Sequence, residues 1–293
     1  MGTISNSKIL ITGGCGSIGS ALAMRLYQME PKEMVIIDQD ETGIFYTSGL
    51  LRGATCLVGD ITNKKRIDAI FKKYKPDIVF HCAAYKHVPV MEEQKEEAIY
   101  NNIGGTKIVA DTAIKYGCKK FVFLSTDKAV NPSSVMGKTK RVCEQYLCSL
   151  KEKTKFVIIR FGNVWASRGS VAMIFENKIR NNETIEITDP KMERYFIKMQ
   201  NALTLMIKGA EEGLDKELYV WDMGKPVTIM KLAEDMIKKS GKKIKTIITE
   251  PRPGESISEE LFFTDEKPKK KGSIFIAKLP YIKINLNHLI KQI

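Results

Sequence analysis

The chain predicts an α/β fold: a doubly wound parallel sheet followed by a smaller C-terminal unit. Three observations carry this expectation. Short β-branched runs alternate with amphipathic helical stretches through the first half of the chain. Those runs are continuously apolar, which marks strands buried on both faces. After about residue 165 the rhythm breaks into shorter, mixed elements. Strand and helix in alternation form a parallel sheet with right-handed crossovers.

In order, "KILIT" (8–12) is the first strand and "SALAMRLYQM" (20–29) the helix after it. "MVIID" (34–38), "TCLVG" (55–59) and "DIVFHCA" (77–83) follow as strands. "AIYNNIGGTKIVADTAIKYG" (98–117) has helical periodicity and leads into the strand "KFVFLS" (120–125). A helix from about 135 to 153, carrying apolar "VCEQYLCSL", precedes the strand "KFVIIRF" (155–161). Beyond it come "TIEIT" (184–188), the helix "MQNALTLMIKGAEE" (199–212), "ELYVWD" (217–222) and a helix from 228 to about 240. Residues 1–165 make the first unit and residues 166–293 mainly the second, with strand 217–222 returning to the main sheet.

A length of 293 residues suits one large domain or two moderate ones. Hydrophobic residues at 43% and charged residues at 28% are the proportions of a soluble globular protein. No apolar run approaches bilayer length, and Ser5 and Ser7 lead directly into a strand without a charged-apolar-small leader. A cytoplasmic protein without membrane insertion is expected. The six cysteines have no CxxC spacing, so reduced thiols are expected, with neither a metal site nor disulfides. The net charge of +13 gathers in "KKSGKKIKT" and "KPKKKG" without interleaved aromatics. Such lysines read as solvated surface that also draws in anionic substrates, and no nucleic-acid partner is expected.

"ITGGCGSIG" joins the first strand to the first helix and carries Gly13, Gly16 and Gly19 in the TGxxGxxG form of the dinucleotide fingerprint. Glycine there permits a tight turn, close approach of backbone to a pyrophosphate, and close helix packing. The helix start at Ser17 and Ile18 offers free N–H groups to phosphate. A glycine turn alone is common in structures without any ligand. The second strand, however, ends at Asp38, and a carboxylate there bonds ribose hydroxyls and repels a 2′-phosphate. "DQDE" supplies no arginine next to it. NAD is the expected cofactor, ahead of NADP.

Longer blocks carry a resemblance. "VFHCAAYKHVPVMEE" (79–93), "STDKAVNP" (125–132), "VMGKTKR" (135–141), "IIRFGNVWASRGSV" (158–171), "ITDPKMERYF" (187–196), "DMGKPVTIMKLAE" (222–234) and "RPGE" (252–255) run almost end to end. In this order they resemble the nucleotide-sugar 4,6-dehydratases of polysaccharide biosynthesis, of the UDP-N-acetylglucosamine type, in a soluble short form. That family lies within the extended short-chain dehydrogenases. The resemblance implies a Rossmann-like domain and a smaller substrate-binding domain. It also implies that Asp60 reaches the adenine, with Ile61 and Ala83 lining the cofactor. The superfamily's Tyr-x-x-x-Lys is incomplete here, because Lys140 is present but Met136 stands four residues before it. Methionine at this place is a trait of many family members. The chain's other such pair, Tyr116 and Lys120, falls at the opposite sheet edge and reads as structural.

The implied reaction oxidises C4 of the sugar, eliminates water across C5 and C6, and returns the hydride to C6. Lys140 keeps its place on the nicotinamide ribose, and Ser125 or Thr126 bonds the 4-hydroxyl. Lys128 is assigned as the base at C5 and Asp127 as the acid towards O6, since these two have useful proton affinities. Alone, such a pair is equally a salt bridge at a strand end. By the same resemblance Arg252, Arg168 and Arg194 are candidates for the diphosphate and Glu255 for the uridine ribose. Asn163, Lys86 and His87 are candidate sugar contacts, and "TIEIT" offers backbone groups to the base. UDP-N-acetylglucosamine is implied, with UDP-glucose and UDP-N-acetylgalactosamine left open by the side chains. A homodimer or larger oligomer through the 135–153 helix is also implied. Two alternatives share the fold: a nucleotide-sugar 4-epimerase, which has no use for an Asp-Lys pair, and a non-catalytic dinucleotide sensor.

Overall fold

A computed structural model describes residues 3–293. Nine strands form one sheet: β1 (Lys8–Thr12), β2 (Glu33–Asp38), β3 (Thr55–Val58), β4 (Ile78–His81), β5 (Lys120–Thr126), β6 (Lys155–Phe161), β7 (Glu217–Trp221), β8 (Lys269–Lys271) and β9 (Ile274–Lys278). Their spatial order is β8-β9-β7-β6-β5-β4-β1-β2-β3. Neighbours from β3 to β7 pair in parallel, while β9 pairs antiparallel with β7 and β8. The chain leaves β1 towards β2 on one side and β4 on the other. Such a reversal opens a crevice at the carboxyl ends of the strands.

The continuous apolar runs divide between two cores. Ile9 and Ile11 face a core with Leu22, Leu26 and Met206, whereas Leu10 faces Phe71, Val109 and Leu147 on the other side. Helices therefore cover both faces, and each strand needs apolar residues at every position. A third, smaller core gathers Phe175, Ile185, Ile187, Ile229 and Leu232, all after residue 165. It is built from the helices Val171–Arg180 and Ile229–Ser240 and from the short parallel pair Ile185–Ile187 and Thr246–Ile248.

Three elements differ from the sequence reading. The sheet receives β8 and β9 from residues 269–278, beyond the returning strand β7, so residues after 165 add three strands to it. Three lysines make β8 look like solvated coil, yet charged residues suit an edge strand because they discourage pairing with another chain. The helix at 98–117 opens as a π-helix, Ile99–Gly105, before the α-helix Thr106–Lys115. The helix Val135–Ser149 ends four residues early, and its Val142, Cys143, Tyr146, Leu147 and Cys148 are buried within this chain. Those apolar groups are covered by the chain's own sheet and helices. Among the described residues no helix is long and apolar enough to cross a membrane.

Candidate active site

After β1 the chain turns at Gly13, whose φ of +68° suits glycine. A Cβ there would stand 2.6 Å from the Ala83 backbone, just past β4, and one on Gly19 would stand 2.0 Å from Gly13 O. Loop, helix and β4 can approach this closely only without side chains. Gly16 caps the helix Ser17–Tyr27 without a side-chain bond, which leaves the first-turn N–H groups for an anion. Asp38 ends β2 with Oδ2 accepting from Cys15 N at 2.8 Å and Oδ1 from Asp40 N at 3.1 Å. Asp60 accepts from both Thr62 N (2.7 Å) and Thr62 Oγ1 (2.8 Å). Asp38, Asp60, Ile61 and Ala83 line a cavity of about 200 Å³ beside the glycine turn. The residues present fit an adenosine and a pyrophosphate.

Beneath the loop His81 is wholly buried, with Nδ1 2.7 Å from Thr12 Oγ1 and Nε2 3.0 Å from Thr106 Oγ1. Burial first, then the nearby Lys140 charge, pushes its pKa down to about 3. Asn102, inside the π-helix, bonds Tyr85 N (2.8 Å), Tyr85 O (3.1 Å) and Thr139 Oγ1 (3.0 Å). One side chain thus fixes the strand-end loop against the helix Val135–Ser149, and π turns recur where a side chain must be aimed in this way.

A second cavity of about 1220 Å³ runs from the glycine loop past the ends of β4, β5 and β6 to residues 249–259. At the end of β5 a single 3₁₀ turn carries Asp127 and Lys128. Asp127 Oδ1 accepts from Thr126 Oγ1 (2.9 Å), Lys128 N (2.9 Å) and Lys128 Nζ (3.1 Å). Asp127 is 0% exposed, and its Oδ2 has no hydrogen-bond partner among the described residues. Lys128 lines the cavity and also reaches Asn163 Oδ1 at 3.3 Å. Asn163 arrives on a short parallel pair, Asn163–Val164 with Phe196–Ile197. Met136 lines the same wall and packs with Met91, Ala98 and Val135. Lys140 lines this cavity, is buried, and donates to Leu124 O at 2.8 Å. Burial lowers its pKa, although Cys143, Cys82 and Glu144 pull the other way.

Several expected roles meet different geometry. Ser125 lines the cavity, but its hydroxyl donates to Glu144 Oε1 at 2.6 Å, away from a substrate. Glu144 is held in turn by fully buried Arg160, which also pairs with Glu266 at 2.7 Å. Thr126 also lines the cavity, and its hydroxyl likewise donates to a carboxylate, that of Asp127. Arg168 bends back onto the glycine loop, where its guanidinium donates to Cys15 O and its N–H to Ser17 Oγ at 2.9 Å. It lines both cavities where they meet at the glycine loop, and not the far end at residues 249–259. Lys86 donates to Arg168 O at 2.7 Å, and burial together with the Arg168 charge lowers its pKa. His87 lies against Gly169, its pKa lowered by burial and then by Lys86.

Arg194 is buried and donates to Glu193 O (2.7 Å), Ser256 O (2.8 Å) and Ile257 O (3.2 Å). With these donors engaged it clamps residues 256–257, instead of standing free for phosphate. Arg252 and Glu255 pair with each other, Nη2 to Oε1 at 2.6 Å. Burial raises the Glu255 pKa, and hydrogen bonds from Arg252 outweigh that and lower it. Both line the far end of the cavity. Tyr116 bonds Asp68 at 3.0 Å, away from either cavity. Sequence reasoning passed over Glu259, which lines the cavity 3.5 Å from Lys128 Nζ and 3.7 Å from Arg194 Nε. Its only sequence signal was its place four residues after "RPGE".

The chain is 42% identical over 306 residues to the capsular polysaccharide biosynthesis protein CapD of Staphylococcus aureus, covering 99% of this chain and 51% of that protein. It therefore spans about half the length of that relative. It is 31% identical to a UDP-N-acetylglucosamine 4,6-dehydratase (inverting) of Campylobacter jejuni, over 89% of this chain and 79% of that one. It is also 32% identical to a UDP-glucose 4-epimerase of Rickettsia canadensis, over 97% and 85% of the two chains. Among solved structures, Pen from Bacillus thuringiensis superposes with a TM-score of 0.90 at 32% identity, covering 97% of this chain and 90% of that one. Residues 9–279 match the model of the family described as polysaccharide biosynthesis protein, and the chain belongs to that family.

Proposed function

We propose that the chain dehydrates a UDP-hexosamine, UDP-N-acetylglucosamine first among them, to the 4-keto-6-deoxy sugar, with NAD held in the glycine cradle. The observation that carries this reading is Lys128, bonded to the wholly buried Asp127, on a cavity wall where Met136 stands in place of a tyrosine. Asp38 supports NAD, because its carboxylate beside a 2′-phosphate would repel it. Bound NAD supplies a hydride acceptor at C4 and a donor at C6.

The chain's own residues do the rest. Thr126 bonds the 4-hydroxyl, and Lys140 keeps a positive charge or a proton donor beside the cofactor's ribose. A 4-ketone acidifies the C5 hydrogen, so an amine suffices to remove it. Lys128 takes that proton. Asp127, in contact with Lys128, is assigned as the source of the proton that O6 takes. The two groups stand 3.1 Å apart, and the step needs one proton passed from lysine to aspartate in a closed, dry site. Arg252 and Glu255 meet the nucleotide end.

The 4-epimerase relative supports a second reading, which needs the oxidation but no elimination. Incubation with UDP-N-acetylglucosamine and mass analysis of the product separates them. Loss of one water is expected. An unchanged mass with an altered sugar would establish the epimerase, and no turnover with any UDP-hexose or UDP-hexosamine would overturn both.

A further inference from the structure

The two cavities meet along a short seam, lined on both sides by Gly13, Gly16, Cys82, Ala84, Tyr85 and Arg168. Five of these belong to the glycine turn or to the segment after β4. Arg168 comes from elsewhere, in residues 165–170 between the short strand Asn163–Val164 and the helix Val171–Arg180. A dinucleotide with its adenosine in the smaller cavity and its nicotinamide beside Lys140 in the larger one would cross this seam. The part that crosses is the pyrophosphate, which carries the charge. The Arg168 segment is pinned there by contacts that do not need its guanidinium. Its backbone N–H donates to Ser17 Oγ at 2.9 Å, and its carbonyl accepts from Lys86 Nζ at 2.7 Å. Gly169, at a φ of +68°, lies on the His87 ring, where a Cβ would stand 2.6 Å from Cε1. The guanidinium itself donates through Nη2 to Cys15 O, which leaves most of its five N–H groups for another acceptor.

Electrostatics at the seam ask for an anion. Arg168 stands at the start of the helix Ser17–Tyr27, whose N-terminal partial charge is itself positive. Lys86 adds a second cation, and the Arg168 charge lowers its pKa after burial has done so, the mark of two cations held close together. Asp38, on the wall of the smaller cavity, spends its oxygens on Cys15 N and Asp40 N. We propose that Arg168 is a cofactor-binding residue: its segment straps the dinucleotide into the glycine cradle, and its guanidinium bonds the pyrophosphate of NAD, not the diphosphate of the sugar nucleotide. Ser17 assists, because its oxygen accepts from Arg168 N and its own hydrogen is left to donate to the same phosphates. A strap of this kind resists loss of the cofactor. Dehydratase and 4-epimerase alike restore NAD at each turnover, so the inference stands with either reaction.

Arg168→Gln removes the charge from an exposed position. Binding of NAD⁺ and of ADP-ribose, followed by titration, is expected to weaken by roughly ten- to a hundredfold, the scale of a hydrogen bond to a charged group. Release of NADH, followed by stopped flow, should quicken in the same proportion. Adenosine fits the smaller cavity without a phosphate and should bind as it does to the parent chain. UDP, titrated at saturating NAD⁺, should also keep its parent affinity. The inference is overturned if NAD⁺ affinity stays within about twofold of the parent, or if UDP weakens as far as NAD⁺ does. It is overturned too if adenosine weakens with them, since the cradle itself would then be damaged. A parent chain that fails to bind NAD⁺ overturns the cofactor reading, and the role of Arg168 with it.

Discussion

Lys128 and Met136 stand on one cavity wall and make opposite predictions. Lys128→Met should abolish C5 exchange and water loss while C4 oxidation still proceeds, visible as reduced nicotinamide without product. Met136→Leu should keep activity within roughly tenfold, because volume and apolar character survive. Near-normal exchange in the first variant, or a dead second variant, contradicts the roles given to them. The places of "STDK" at the end of β5 and of Met136 at the start of the next helix were legible in the sequence, because chain neighbourhood alone sets them. Ser125 was not, because what decides its role is Glu144 on the next helix. Arg168 and Arg194 look alike as cations in a sequence, but carbonyl oxygens brought in by the fold decide what each one holds.

At the scale of elements, the strands of the parallel sheet were readable almost to the residue, since burial on both faces leaves a continuous apolar signature. Two things were hidden. The π-helix Ile99–Gly105 answers a tertiary demand, that Asn102 reach the Tyr85 backbone, and no local periodicity announces it. The union of β6 with residues 261–266 runs through Arg160, buried in the middle of an apolar strand and bonded to Glu144, Glu266 and Leu261 O. Breaking a buried ion pair from one side strands the partner charges. Arg160→Ala is expected to cost roughly 3–5 kcal/mol in urea unfolding. Adding Glu144→Gln and Glu266→Gln should recover part of that loss, and an unchanged urea midpoint in the single variant would count against the network.

For the whole molecule, His81 links stability to pH. Its folded pKa of about 3 lies below the ordinary 6.5, so the unfolded chain binds the proton that the fold refuses. The stability it contributes is complete above pH 6.5 and is lost as pH falls from 6.5 towards 3, on the order of 5 kcal/mol across that window. Equilibrium unfolding at several pH values should show His81→Gln less stable at neutrality, but with a slope shallower by about 1.4 kcal/mol per pH unit between pH 4 and 6. Parallel slopes would remove His81 from the account.

The glycine turn has a consequence for how such a chain comes into being. Gly13 rests on the backbone of Ala83, seventy residues further along, so the fingerprint "ITGGCGSIG" is only half of a binding site when it is first made. A ribosome that has released β1 and β2 has delivered the motif without its floor. The cradle acquires its shape when β4 settles beside β1, and dinucleotide binding then stabilises the assembled sheet by mass action. A complete cradle therefore requires that β4 has taken its place beside β1, out of sequence order.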